Sequence, residues 1–249
     1  MYYKSAEEGL SMVLPTKSKT AGGLVEQAVE TLRRRILQGE FSEGLLPPQS
    51  KLCEELGVSR SVIREAMQRL QSQRLIELGQ GRLPRVLPAS PDALAESLQM
   101  VMGRTDATWF HLGQVRLTLE TEIAGLAAAS ADAVQLREME KTIGAMMASD
   151  DVREQVSADM RFHRLLAQAT GNPIYVFLLD AMAALLRASR ERTIGTGGIE
   201  PALRGHRQIL DALKARNAVA ARKAMVQHLS ESQDDLRRLI DSGKAPPLH

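Results

Sequence analysis

Three features predict a mainly α chain, in which an N-terminal head of three helices and a hairpin precedes an all-α bundle of six or seven helices. Apolar residues recur with helical period along most of the sequence, and β-prone pieces stand out only near residue 80. A proline-bracketed break, Pro88-Ala89-Ser90-Pro91, then separates two stretches of unlike charge. Residues 1–90 hold 13 Lys/Arg against 10 Asp/Glu, net +3, while residues 91–249 hold 19 against 20, net −1. The expected organisation is an arm over 1–20, a head over 21–88, a linker over 89–92, a bundle over 93–240 and a tail over 241–249. The bundle segment is long enough to bury a core of its own.

The arm, MYYKSAEEGLSMVLPTKS and the two residues after it, is polar and without sustained periodicity. From Leu24 a helical stripe runs through Ala28, Leu32 and Ile36 and stops at Gly39. Leu45-Leu46-Pro47-Pro48 reads as an extended turn. Leu52, Cys53 and Leu56 mark a short second helix that Gly57 ends, with Cys53 a small buried hydrophobe. Ser59 is placed to cap a third helix whose inner face is Ile63, Ala66, Met67 and Leu70. Its outer face carries Arg60, Ser61, Arg64 and Gln68. Two β-prone pieces, Leu75–Leu78 and Arg85–Leu87, flank Gly79-Gln80-Gly81-Arg82, which predicts a hairpin with a basic tip. Two short helices followed by a hairpin describe a winged helix-turn-helix. Beyond the linker, helices are expected at about 92–103, 108–130, 132–148, 151–170, 174–193, 201–216 and 218–240.

Composition closes off several classes of function. An apolar share of 44% and a charged share of 25% are globular values, which exclude collagen-like and wholly disordered chains. Aromatic residues at 3% leave few rings on which single-stranded bases could stack. No apolar run is long enough for a membrane span, and the amino terminus lacks the apolar core of a secretory signal, so a soluble cytoplasmic protein is expected. One cysteine excludes an intramolecular disulfide and any Cys-rich zinc module.

Charge and spacing in the head point to nucleic acid. Between residues 58 and 86 six arginines face only Glu65 and Glu77, a local +4. On charge alone, a solvated helix face and a nucleic-acid-binding head remain equally open. The run Gly57-Val58-Ser59-Arg60-Ser61-Val62-Ile63-Arg64 adds specificity. It offers a tight turn, the N–H groups and hydroxyls of a helix start for phosphate, and two guanidinium forks one turn apart that can pair with guanine O6 and N7. Salt bridging of Arg60 and Arg64 to neighbours such as Glu65 is the competing account, and Glu65 itself reads as a positioner of an arginine near a helix start.

The bundle holds a second constellation. Asp159 and His163 stand one turn apart on one helix face. His206 shares a stripe with Leu203, Leu210 and Leu213, and His228 shares one with Ala221, Ala224 and Met225, so both imidazoles point inward. A lone inward histidine is usually a satisfied core residue, but three with an aspartate would leave polar groups unpaired unless something joins them. A divalent cation does so: three imidazole nitrogens and a carboxylate oxygen suit Zn²⁺ best, with Ni²⁺ and Mn²⁺ as alternatives. Arg116 shares a stripe with Leu112, Leu119 and Ile123, which buries its guanidinium in part and demands a partner. Either Glu120 one turn on supplies it or Arg116 clamps the carboxylate of a small molecule. Asn172 in Gly171-Asn172-Pro173 reads as a helix end, and His111 and His249 as surface or helix-end polarity.

The run LPPQSKLCEELGVSRSVIREAMQRLQSQRLIELGQGRLPRV resembles the winged-helix domain of GntR-family transcription regulators over about residues 24–87. The resemblance implies that Ser59, Arg60 and Arg64 meet phosphate and base edges of double-stranded operator DNA and that Gly81 and Arg82 enter the minor groove. The sequence departs from the common family pattern at Pro48, Ser50 and Leu83-Pro84. Residues 100–235 resemble the FCD domain of the FadR subfamily, through DMRFHRLLAQATGNP and through His206 and His228 around ILDALKARNAVAARKAM. That resemblance implies a metal held by Asp159, His163, His206 and His228, and a small organic or sugar acid bound near it with Arg116. A homodimer is expected because one winged helix reads few base pairs. The resulting expectation is a repressor that the acid relieves. Two rivals stand beside it: a metal-dependent hydrolase with a DNA-binding head, and a helical interaction protein with a structural metal.

Overall fold

In a computed structural model of the chain, residues 21–105 and 108–242 are described. The expected arm and, in the tail, residues 243–249 with His249 lie outside the described residues. The chain divides between Ala89 and Ser90 into two compact units.

The first unit holds α1 (Ala21–Leu37), a 3₁₀ turn (Ser42–Gly44), α2 (Gln49–Leu56), α3 (Arg60–Ser72), β1 (Ile76–Glu77) and β2 (Arg85–Val86). Gly57 ends α2 in the left-handed region, at φ 64°, where a side chain would be strained. Two residues later the Ser59 hydroxyl accepts the Val62 N–H at 3.4 Å and starts α3. Helix α3 turns Val62, Ile63, Ala66, Met67 and Leu70 inward against α1 and α2. The buried stripe of α1 is Val25, Ala28, Val29 and Leu32, rotated from the expected one. Packing on α3 centres that face, so Leu24 and Ile36 stay half-buried at its edge.

The hairpin is shorter than expected, pairing Ile76 with Val86 and Glu77 with Arg85. Leu45 and Leu46, read from sequence as a turn, are instead tied to the hairpin by an isolated bridge and one backbone bond. Leu45 bridges to Arg85, and the Leu46 N–H donates to the Pro84 carbonyl at 2.8 Å. This contact puts Leu46 wholly inside, with Leu52, Ile63 and Leu70, each worth about 1.5–3 kcal/mol over an exposed position. The recognition element and the hairpin are thereby braced on one core.

Among the described residues the second unit holds α4 (Asp92–Arg104), α5 (Trp109–Ser130), α6 (Ala133–Ala148), α7 (Val152–Ala169), α8 (Pro173–Gly197), α9 (Glu200–Lys214) and α10 (Ala218–Asp241). Side-chain caps from Asp132, Asp151, Asn172 and Asn217 set four of their starts. Asn172 therefore begins a helix rather than ending one: Gly171, at φ 73°, ends α7, and Asn172 Oδ1 accepts the Ile174 N–H with Pro173 in the first turn. His111 has a helix-end role, with Nδ1 accepting the Thr108 N–H at 2.9 Å. Helix α8 continues to Gly197 instead of stopping near 193, and α10 reaches Asp241, inside the expected tail. Helix α5 packs on α10, α7 and α9, and α7 lies between α6 and α8. Among the described residues, no helix is long and apolar enough to cross a membrane.

Candidate DNA-reading face and metal centre

On the first unit, Arg60, Ser61, Arg64 and Gln68 are exposed along the face of α3 opposite its buried stripe. Among the described residues, neither Arg60 nor Arg64 makes an ion pair. Glu65 is taken by Arg69 at 2.7 Å, and Arg69 also reaches Glu26 on α1 at 3.1 Å. The salt bridge that could have occupied the two forward arginines is thus spent one turn further back. Ser59 and Ser61 bring their hydroxyls within 2.8 Å of each other at the helix start, where backbone N–H groups lack intrahelical acceptors. At the hairpin tip Gly81 has φ 67° and Arg82 is exposed. The surface offers free guanidinium forks and N–H donors, the chemistry that binds phosphate and guanine edges.

In the second unit α7 supplies Asp159 and His163, α9 supplies His206 and α10 supplies His228, all buried. Nε2 of His163 lies 3.3 Å from Nε2 of His206 and 3.3 Å from Nε2 of His228. Asp159 Oδ1 is 3.4 Å from Nε2 of His206, and one donor atom from each of the four residues falls within 4.8 Å of the others. A tetrahedron with metal–ligand bonds of about 2.0–2.1 Å has edges of about 3.3–3.4 Å. Three of the donor–donor distances match such an edge and the rest reach no further than 4.8 Å, so the cluster can hold a metal ion.

The surroundings hold these donors in their ligating form. Burial pushes the His206 imidazole down to about 3, and burial likewise pushes His228 down, so both rings are neutral. Burial would raise Asp159, but the Arg190 charge, reinforced by His206 and His163, holds its carboxyl well below the usual range. Nδ1 of His163 rests against Oε2 of Glu120, whose other oxygen takes Nε of Arg116. Against the cost of burial, Arg116 and His163 bring Glu120 down to about 2. A carboxylate behind Nδ1 keeps the proton there and leaves the Nε2 lone pair facing the cluster. Phe162 stacks on the His206 ring at 4.1 Å between centroids. Ring nitrogens this close repel through their lone pairs unless a proton or a cation lies between them.

All four residues of the predicted metal set thus converge, and Arg116 both pairs with Glu120 and lines a small adjoining cavity with Asp159, His163, Met182, Leu186 and Arg190. Two participants were not singled out from sequence. Glu120 was read only as a partner for Arg116, and Arg190 was not read at all. Arg190 follows Met182 and Leu186 at helical spacing, a stripe that could have marked it as inward. Its Nη2 and Nε hold Asp159 Oδ1 and Oδ2 at 2.5 and 3.1 Å, and its Nη1 donates to Ser232 at 2.8 Å.

A winged helix-turn-helix with unpaired arginines on its reading helix, on one chain with an all-helical unit that encloses polar donors beside a cavity, defines a DNA-binding transcription regulator. Residues 24–85 match the model for bacterial regulatory proteins of the gntR family, and residues 111–231 match that for the FCD domain. The chain belongs to the GntR family. It is 31% identical over 222 residues to the galactonate operon transcriptional repressor of Escherichia coli K12, covering 86% of this chain and 97% of that protein. It is 30% identical to the Uxu operon regulator of Haemophilus influenzae, covering 85% and 81%. Among solved structures, that of Streptococcus agalactiae GntR is similar at 28% identity and a TM-score of 0.62, covering 84% of this chain and 99% of that one. The family and these relatives are transcription regulators, not enzymes, which sets the hydrolase alternative aside.

Proposed function

We propose that the chain is a homodimeric repressor that releases operator DNA when a small sugar acid or related carboxylic acid binds beside a Zn²⁺ ion in its helical unit. In this reading Ser59, Arg60, Ser61 and Arg64 contact operator phosphates and base edges in the major groove, and Gly81 and Arg82 contact the minor groove. Asp159, His163, His206 and His228 hold the cation, and Arg116 faces the acid in the adjoining cavity. The observation that carries the proposal is the donor spacing: edges of 3.3, 3.3 and 3.4 Å among buried nitrogen and oxygen atoms. These three edges suit bonds of the length Zn²⁺ makes to imidazole and carboxylate; for Ni²⁺ or Mn²⁺, water or the acid would have to complete a larger shell. A bound cation supplies charge that attracts a carboxylate. The galactonate operon repressor lends the acid its class, an aldonic acid being the first to try.

Elemental analysis of protein purified without an affinity tag tests the centre. About one metal per chain is expected, zinc foremost. Metal that persists in a His206→Ala/His228→Ala variant would remove the site.

A further inference from the structure

The described residues place two arginines around the cluster, Arg190 buried and Arg116 half-buried, and they are not equivalent. Arg116 is tied to Glu120, and Glu120 also meets Nδ1 of His163, so that pair is an outer support of the donor set. Arg190 instead lies directly on a donor. Its Nη2 takes Asp159 Oδ1 at 2.5 Å, the oxygen that faces Nε2 of His206 at 3.4 Å. Arg190 also lines three adjoining cavities: the one beside Arg116, one with Ser232 and His228, and one with Trp109 and Gln233. Charge accounting sharpens the contrast. Each of the two arginines already stands in an ion pair with one carboxylate, Arg116 with Glu120 and Arg190 with Asp159, so a divalent cation would add positive charge that neither pair offsets.

We propose that Arg190 and the cation compete for Asp159, and that metal loading turns Arg190 from an internal salt-bridge partner into the guanidinium that receives an anionic effector. Asp159 cannot give full electron density on Oδ1 both to Nη2 of Arg190 and to a cation. Nε keeps Oδ2 and Nη1 keeps Ser232, and the donors of Nη2 become available to an oxyanion. Anion binding is then coupled to metal, because the metal-free cluster offers neither a surplus charge nor a free guanidinium. This rests on the effector reading above for its anion but not for its metal half.

Competition titration of Zn²⁺ alone against a chromophoric chelator, on the full chain, reads the metal half. The Arg190→Gln variant is expected to bind Zn²⁺ on the order of tenfold more tightly than the parent, since a cation beside the site is gone. If Arg190 merely orients Asp159, affinity falls about 10- to 100-fold instead, and that result overturns the proposal. Arg190→Lys keeps the charge but replaces the three-nitrogen fork with a single nitrogen. It should hold Zn²⁺ within a few-fold of the parent and serves where Arg190→Gln fails to fold; a tenfold loss in it counts against the proposal equally. Galactonate-induced thermal shifts read the anion half: present in the Zn²⁺-loaded parent, absent after chelation, and absent in Zn²⁺-loaded Arg190→Lys. A shift that survives chelation or that substitution overturns this half. No shift in the loaded parent counts against galactonate as effector and leaves the Zn²⁺ titration to decide the metal half.

Discussion

Gly205 has no side chain where the His228 ring needs room: a Cβ there would stand 2.4 Å from Nδ1 and 2.8 Å from Cγ. The glycine is on α9 next to His206, so one turn of helix supplies one proposed ligand and the clearance for another. Gly205→Ala must push the α10 imidazole away from the other donors. Overpacking of this kind costs about 1–3 kcal/mol, and misplacing a ligand costs far more in metal affinity than in fold. The expected outcome is a folded protein by circular dichroism whose zinc content drops well below that of the parent. Full zinc occupancy in Gly205→Ala would mean that His228 does not ligate. His206 and His228 were legible in the sequence because each shares a stripe with apolar neighbours. Arg190 and the second role of Glu120 were not, since their partners Asp159 and His163 come from another helix and only packing brings them together.

At the scale of the element, α3 divides its arginines by task. Arg69 is engaged with Glu26 and Glu65, whereas Arg60 and Arg64 meet no acid among the described residues. Arg64→Ala should therefore weaken binding to the protein's own promoter about 10- to 100-fold at constant salt, the loss of one bidentate base contact. Arg69→Ala removes exposed ion pairs and should cost less than about 1 kcal/mol of stability, with a much smaller effect on DNA. Anisotropy titrations of both variants on the same duplex check the contrast, and equal losses would argue for general cationic attraction rather than a reading helix. The start of α3 was readable from Ser59 and its inner face from Ile63 to Leu70. The brace beside the hairpin was not: Leu45 and Leu46 look like a turn before two prolines, and only folding brings them to bond with Arg85 and Pro84. In α1 the stripe was displaced because α3 decides which face is inward.

For the whole molecule, a bundle of six or seven helices and a winged helix-turn-helix followed from periodicity and glycine placement, while the cluster joining α7, α9 and α10 followed from the one-turn spacing of Asp159 and His163 and from two histidines on apolar stripes. The buried imidazoles also give the metal-free protein a pH dependence. His206 takes up a proton near 6.5 when unfolded but only near about 3 when folded. Between those values the unfolded chain binds more protons, so stability rises with pH and falls as the solution is acidified below about 6.5. The urea midpoint of chelated protein should thus decrease from pH 7 to pH 5; a flat midpoint would mean that His206 and His228 are not buried neutral. Returning zinc at pH 7 should raise the melting temperature, because the cation binds the folded cluster. The account as a whole turns on coupling between that cluster and DNA. It is tested most directly by promoter affinity of the zinc-loaded protein, titrated at fixed salt with and without galactonate and related aldonic acids. A coupling of about 1–3 kcal/mol predicts that an acid of this class weakens DNA binding roughly 5- to 150-fold, and that the His206→Ala/His228→Ala variant shows no such response. DNA affinity indifferent to every acid of the class, or a response unchanged in the variant, would contradict it.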